Sequence, residues 1–247
     1  MAYTYLITGA TSDVGTALID RLLDGAPSDT LVLAQGCGDV EKLAPLCQKY
    51  PGQVRPFDVD LSDMLKVDAF IRLLEQTAPV PTHFVHLPAL PVVNTRFKNF
   101  DEERFARDME IQVHSAVKIC RVFVPKMAKA GFGRVLFIQT SYTIGCPPKN
   151  TAAYVMAKSA IGGLVKSLAV EYARQGVTVN CVAPSMMETH FLKDTPDLIV
   201  QAAAADNPMG RNATPADVVP AMAFLLSEEA RFITGVTLPV TGGSAIV

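Results

Sequence analysis

The 247-residue chain reads as an α/β protein on one doubly wound parallel sheet of about seven strands, with helices on both faces. Three observations predict this. Short β-rich runs alternate with longer helical patterns along the whole length. The runs are continuously apolar, as strands covered on both faces must be. No Ser/Pro/Gly-rich linker, repeat or low-complexity tract interrupts them, so residues 1–247 are expected to form a single domain.

The elements follow in order. Residues 3–8 (YTYLIT) give the first strand, and the stretch through GTALIDRLLDG the first helix. TLVLAQ (30–35) precedes a helical DVEKLAPLCQKY, and QVRPFDVD leads to a helix over SDMLKVDAFIRLLEQT. In that helix Leu65, Ala69, Arg72 and Leu73 show an apolar stripe alternating with a solvated face. THFVHL (82–87) is a fourth strand, followed by a long helix from about Asp101 to Lys129. RVLFIQT (134–140), VTVNCVA (177–183) and GVTLPV (235–240) complete the sheet.

Composition narrows the function. Apolar residues at 49% against 19% charged indicate an ordered globular chain. A net charge of −2 gives no electrostatic reason to bind nucleic acid or an anionic membrane, and the absence of Trp weakens base stacking. Cys37, Cys47, Cys120, Cys146 and Cys181 are odd in number, scattered and free of CxxC pairs. They read as free thiols, with neither a zinc site nor a disulfide framework. His83, His86, His114 and His190 form no HExxH cluster, so no metal is expected. No apolar run approaches a membrane span, and a strand starting near Met1 leaves no room for a signal peptide. The expected location is the cytoplasm.

The first βα turn, LITGATSDVGTALI (6–19), puts Gly9 just past the strand and Gly15 at the helix start. Such a turn either cradles a pyrophosphate on backbone N–H groups or is an ordinary tight connection. A ribose-binding acid is expected about 20 residues on in dinucleotide folds. LAQGCG (33–38) has none before Asp39, and no arginine either.

Further on, TSYTIGCPPKNTAAYVMAK (140–158) carries Tyr154 and Lys158 at helical i, i+4 spacing. One helix face therefore holds both, and an ammonium beside a phenol favours phenolate over the ordinary phenol pKa of about 10. A surface Tyr–Lys pair is the alternative.

Taken together, these segments resemble the short-chain dehydrogenase/reductase family, particularly its 3-oxoacyl-carrier-protein reductase-like group. The glycine turn is similar to the family's TGxxxGxG, with Asp13 at the middle glycine. VNCVAPSMMETHF (179–191) is similar to N-x-VAPG-x-x-x-T, with Ser185 at the glycine, and 207–243 matches the family's C-terminal block.

The resemblance implies a Rossmann-type fold and NAD(P)(H)-dependent interconversion of a carbonyl and a secondary alcohol. It implies cofactor contacts at Gly9, Thr11, Ser12, Asp13, Val14 and Gly15, at Asp58 and Val59 beside the adenine, and at Leu87 and Pro88. Pro184 and Thr189 would lie at the nicotinamide. HLPA (86–89) replaces the family's NNAG, and His86 reads as structural.

Tyr154 would exchange the proton with the substrate oxygen, and Lys158 would also hold the nicotinamide ribose. Ser141, by its spacing of 13 to the tyrosine, would polarise the carbonyl; alignment on the strand selects Thr140 instead. Gln112 stands at the family's relay asparagine. The lack of a ribose acid leans the cofactor to NADP(H) over NAD(H).

Residues 185–206 would form a substrate lid lined by Met186, Met187, Phe191, Leu192, Leu198 and Ile199, suited to an apolar ketone. Assembly as a homotetramer or homodimer through the helices at 101–129 and 151–175 is implied, where Gly162 and Gly163 allow close approach or flexibility. The competing reading is a dinucleotide-binding scaffold with a degenerate site, suggested by Asp13, HLPA, Gln112 and Ser185.

Overall fold

Seven strands form the sheet: β1 (Thr4–Thr8), β2 (Leu31–Gly36), β3 (Val54–Asp58), β4 (His83–His86), β5 (Gly133–Ile138), β6 (Val177–Pro184) and β7 (Thr237–Val240). They lie in the order β3-β2-β1-β4-β5-β6-β7, and each neighbouring pair is parallel. The structure, a computed structural model, describes residues 3–246. The single-domain reading ran over 1–247, so residues 1, 2 and 247 lie outside the described part.

The connecting helices are α1 (Asp13–Leu23), α2 (Ala44–Lys49), α3 (Met64–Thr77), α4 (Glu102–Met109), α5 (Ser115–Lys129), α6 (Ala152–Tyr172), α7 (Asp197–Asp206) and α8 (Pro215–Leu226). Alternate strand residues feed two apolar layers. Ile7, Val32 and Val85 pack with Leu18 and Ile19 of α1 and Met222 of α8. Leu6, Leu33, Phe84 and Phe137 pack with Phe70 of α3, Phe123 of α5 and Ile161 of α6. Each such side chain contributes roughly 1.5–3 kcal/mol on burial, which explains why the strands read as unbroken apolar runs.

The structure differs from the sequence reading in three places. The buried stripe of α3 is Val67, Phe70, Ile71 and Leu74, while Leu65 is 80% exposed and Leu73 faces water as well. The helix expected over 101–129 begins after an Asp101 cap and is broken by a widened π turn at Glu110–His114. The helix Ala152–Gln175 does have the length and apolar composition of a membrane span. It packs on β6 and buries the Lys158 ammonium, a charge that lipid-facing helices avoid.

Strand order reverses between β1 and β4, which places the ligand crevice at their carboxyl ends. Gly9 fits that crevice because its φ is +69° and a Cβ there would lie 3.1 Å from Pro88 N.

Gly162 has a different neighbour from the one expected. A Cβ on it would meet Gln139 Nε2 at 2.6 Å. Gln139 in turn donates to the Lys158 carbonyl at 2.9 Å and accepts from Thr237 Oγ1 at 2.8 Å, tying α6 to β7. Gly163 faces open space. Gly162→Ala should therefore lower unfolding free energy by about 1–3 kcal/mol through the displaced glutamine. Gly163→Ala should raise it by about 0.5–1 kcal/mol. Urea denaturation of the two variants checks the contrast.

Candidate active site

A cavity of about 1090 Å³ opens at the carboxyl ends of β1, β4, β5 and β6. Its walls include Ser12, Asp13 and Val14 after β1, Leu87 after β4, Ile138 to Thr140 after β5, and Pro184 to Met187 after β6. Tyr154 and Lys158 enter from the first turns of α6, and Thr189 to Lys193 close the opposite side.

At its centre, Lys158 is 3% exposed and donates from Nζ to the Ile138 carbonyl at 2.9 Å. Its ammonium stands 5.8 Å from the Tyr154 ring centroid. Burial pulls the Lys158 pKa down to about 8, against the opposing pull of Asp108. The Tyr154 phenol is raised well above its ordinary value, chiefly by burial, with Tyr142 and Asp108 adding to the rise. The sequence reading expected the reverse. The reason is that desolvation penalises phenolate more than the Thr140 hydroxyl favours it. Tyr154 is therefore a protonated donor at neutral pH.

The hydroxyl partner also changes. Thr140 is buried, lines the cavity and lies close enough to Tyr154 to favour phenolate. Ser141, the residue selected by spacing, begins a 3₁₀ turn and is absent from the cavity wall. Thr140 is the last residue before that turn, and its Oγ1 accepts from Tyr142 N at 3.3 Å. Extending β5 by its own register points to Thr140, whereas counting back from the tyrosine does not.

Gln112 sits in the π turn, 1% exposed, and donates from Nε2 to Asp108 Oδ2 at 2.8 Å. His86 is buried at the end of β4, with Nδ1 2.8 Å from Thr8 Oγ1 and its pKa lowered to about 3 by burial. It is a neutral structural group joining β1 to β4. His114 is exposed.

At the glycine turn, Ser12 caps α1 by accepting from Gly15 N at 3.1 Å. The remaining N–H groups of that first turn have no intrahelical partner and favour an anion. Ser12 and Val14 reach the cavity, while Gly9, Thr11, Gly15 and Pro88 are not part of its wall. Asp58 and Val59 are not brought into it. Asp58 Oδ1 accepts from Gly38 N at 2.8 Å, and the Val59 carbonyl accepts from Gln35 Nε2 at 2.7 Å. Of the expected lid residues, Leu198 points away, 77% exposed, and the other five line the cavity. Among the described residues there is no cluster of three or more metal ligands.

A family profile described as enoyl-(acyl carrier protein) reductase matches residues 29–245. The chain is 30% identical to the 3-oxoacyl-[acyl-carrier-protein] reductase MabA of Mycobacterium tuberculosis over 96% of this chain and 91% of that protein. The chain is a short-chain dehydrogenase/reductase. It is also 28% identical to an acetoacetyl-CoA reductase of Allochromatium vinosum, over 98% of both chains. Among solved structures, a 3-ketoacyl-(acyl-carrier-protein) reductase of Brucella melitensis complexed with NADH superposes with a TM-score of 0.87. Its identity is 25%, over 99% of this chain and 98% of that one.

The family activity is NAD(P)-dependent oxidoreduction at a CH–OH/C=O centre, so this short-chain dehydrogenase/reductase is an enzyme. Its residues fit a dinucleotide. The α1 N-terminus faces a cavity large enough for one, and Ser185 contributes a buried hydroxyl with no protein partner. Asp13 is the exception in charge. Its carboxylate lines the cavity at the phosphate end and accepts from His190 N at 2.7 Å, with His190 Nδ1 at 3.2 Å from its other oxygen.

Sequence reasoning missed Lys42, Asp108 and the Asp13–His190 contact. Lys42 is a cavity cation seven residues past Gln35, where only an arginine was sought. Removing the Asp13 carboxylate should strengthen NAD(P)H binding. Asp13→Ser is expected to lower Kd by about tenfold, or about 1.4 kcal/mol, as measured by fluorescence titration.

Proposed function

We propose that this enzyme reduces an apolar ketone of the 3-oxoacyl type to the secondary alcohol with NADP(H). The observation that carries the reading is the convergence of the Tyr154 phenol and the Thr140 hydroxyl in a cavity roofed by Met186, Met187, Phe191 and Ile199. The 3-oxoacyl and acetoacetyl reductases among its relatives support the substrate class.

The nicotinamide cofactor supplies the hydride when bound. Thr140 donates a hydrogen bond to the carbonyl oxygen and fixes it beside the phenol. Tyr154, kept protonated by burial, gives its proton to that oxygen as negative charge develops there. Lys158, held at the β5 end by Ile138, places its ammonium next to the phenol and offsets the phenolate left behind. The apolar roof, with the Phe191 ring centroid 6.5 Å from that of Tyr154, excludes water and favours a hydrocarbon flank on the ketone.

Lys42 favours NADPH. It lines the cavity and pairs with Asp39 at 2.9 Å, which offsets one of the acids near the end of β2 that would repel a 2′-phosphate. Assembly into a homotetramer or homodimer in the cytoplasm completes the proposal. Val117 on α5, and Met156 and Val170 on α6, are exposed apolar residues on the helices assigned to the interface, Val170 at 85%.

Tyr154→Phe should abolish turnover, by more than about 100-fold, and leave cofactor binding intact. Thr140→Ala should cost about 100- to 1,000-fold in kcat, while Ser141→Ala stays within about threefold of the parent enzyme. Retained turnover in Tyr154→Phe contradicts the assignment. For the cofactor, Lys42→Ala should raise KM for NADPH by about tenfold and change that for NADH less than about twofold.

A further inference from the structure

α4 buries one side chain, and that side chain is a carboxylate. Asp108 is 6% exposed, in a helix whose other residues are all partly or fully accessible. Its Oδ1 accepts from Leu90 N at 3.0 Å and its Oδ2 from Gln112 Nε2 at 2.8 Å. Both oxygens are thus occupied as acceptors by N–H donors, the pattern of an ionised carboxylate. A buried charge of this kind persists only with hydrogen bonds and a counter-charge.

We propose that Asp108 is a positioning residue of this active site, which, held by its contacts to Leu90 and to Gln112 of the π turn, presents the negative charge that acts on the Lys158 ammonium. The inference rests on the role given to Lys158 in the proposed reaction.

Three observations carry it. First, the bond to Asp108 fixes the Gln112 amide so that Oε1 turns away from the carboxylate, and this Oε1 is buried with no protein partner. Second, His86 Nε2, also buried and without a well-formed bond, faces the Ile111 and Gln112 carbonyls of the π turn and lies near enough to Lys158 to feel its charge. Asp108 and Gln112 are thus hydrogen-bonded to each other, and His86 faces the turn that carries Gln112. Third, Asp108 and Tyr154 share the wall of a side cavity of about 40 Å³, together with Arg104. That volume admits a water or so, which leaves electrostatic effects there little screened.

The neighbours of Lys158 show why Asp108 matters. From β4, His86 is neutral, with its pKa lowered to about 3 by burial. From β6, the Cys181 thiol is pushed up to about 12, again by burial. On its own helix Tyr154 is protonated, and from the turn between β5 and α6 Tyr142 is raised by burial too. Asp108 is the carboxylate among the groups acting on Lys158, and it opposes the effect of burial there. Arg104, the cation beside Asp108, spends an N–H on the Pro91 carbonyl at 2.7 Å.

Burial lowers Lys158 to about 8 while Asp108 raises it. Removing the carboxylate therefore lowers Lys158 further, and the ammonium is lost at a lower pH. The test is the pH dependence of kcat/KM for ketone reduction by Asp108→Asn, with Tyr154→Phe assayed alongside. The expected result is an alkaline limb displaced downward, with activity at pH 8 reduced by about tenfold and activity at pH 6 within about threefold of the parent enzyme. Asp108→Ser removes the same charge with a smaller side chain and should show the same displacement.

A limb that superposes on the parent's in both variants, or an equal loss at every pH, overturns the proposal. Either outcome would reduce Asp108 to a cap on Leu90. An inactive Tyr154→Phe beside an undisplaced limb sinks the role of Asp108 alone. An active Tyr154→Phe sinks the reading of the site on which it rests.

Discussion

The site depends on one costly arrangement, a lysine ammonium almost completely buried at the end of β5. Lys158 has the Ile138 carbonyl as its backbone acceptor at 2.9 Å, and burial brings its pKa down to about 8. An ammonium in that position persists only where acceptors and opposite charge offset desolvation. Much of the nearby structure serves that need. Gln139 holds the Lys158 backbone, Gly162 leaves room for Gln139, and Thr237 of β7 anchors the other end of the amide.

The same burial sets the chemistry of Tyr154. A phenol kept protonated by its surroundings is a proton donor, and transfer becomes favourable as negative charge makes the substrate oxygen beside it more basic. Thr140 works with it because β5 runs straight into the turn that carries both the threonine backbone and the Tyr142 N–H. The Tyr154 phenol, the Thr140 hydroxyl and the apolar side chains of the cavity thus share one crevice at the strand-order reversal, where parallel sheets leave room for ligands.

The sheet was legible in the sequence because period and burial agree. Leu6, Leu33 and Phe84 face one layer while Ile7, Val32 and Val85 face the other, so each strand had to be apolar throughout. Tyr154 and Lys158 were legible because helical spacing is local. That Thr140 rather than Ser141 reaches the cavity was not legible, because loop length between β5 and α6 is not dictated by any periodicity. The α3 stripe was misplaced because Leu65 and Leu73 are apolar residues left facing water. Asp108 and Lys42 were invisible for a related reason. Their importance lies in what they face across the fold, and a charged residue in a helix ordinarily reads as solvated. The sign of the Tyr154 shift failed too, because a neighbour can be counted along a chain but burial cannot.

The central claim, that Lys158 is held as a marginally stable buried ammonium, is tested most directly without turnover. Nuclear magnetic resonance titration of the protein labelled at the lysine ε-carbon should show one lysine, absent from a Lys158→Met variant, changing protonation near pH 8. A Lys158 signal that titrates only at the ordinary lysine value of about 10.4 would contradict the account.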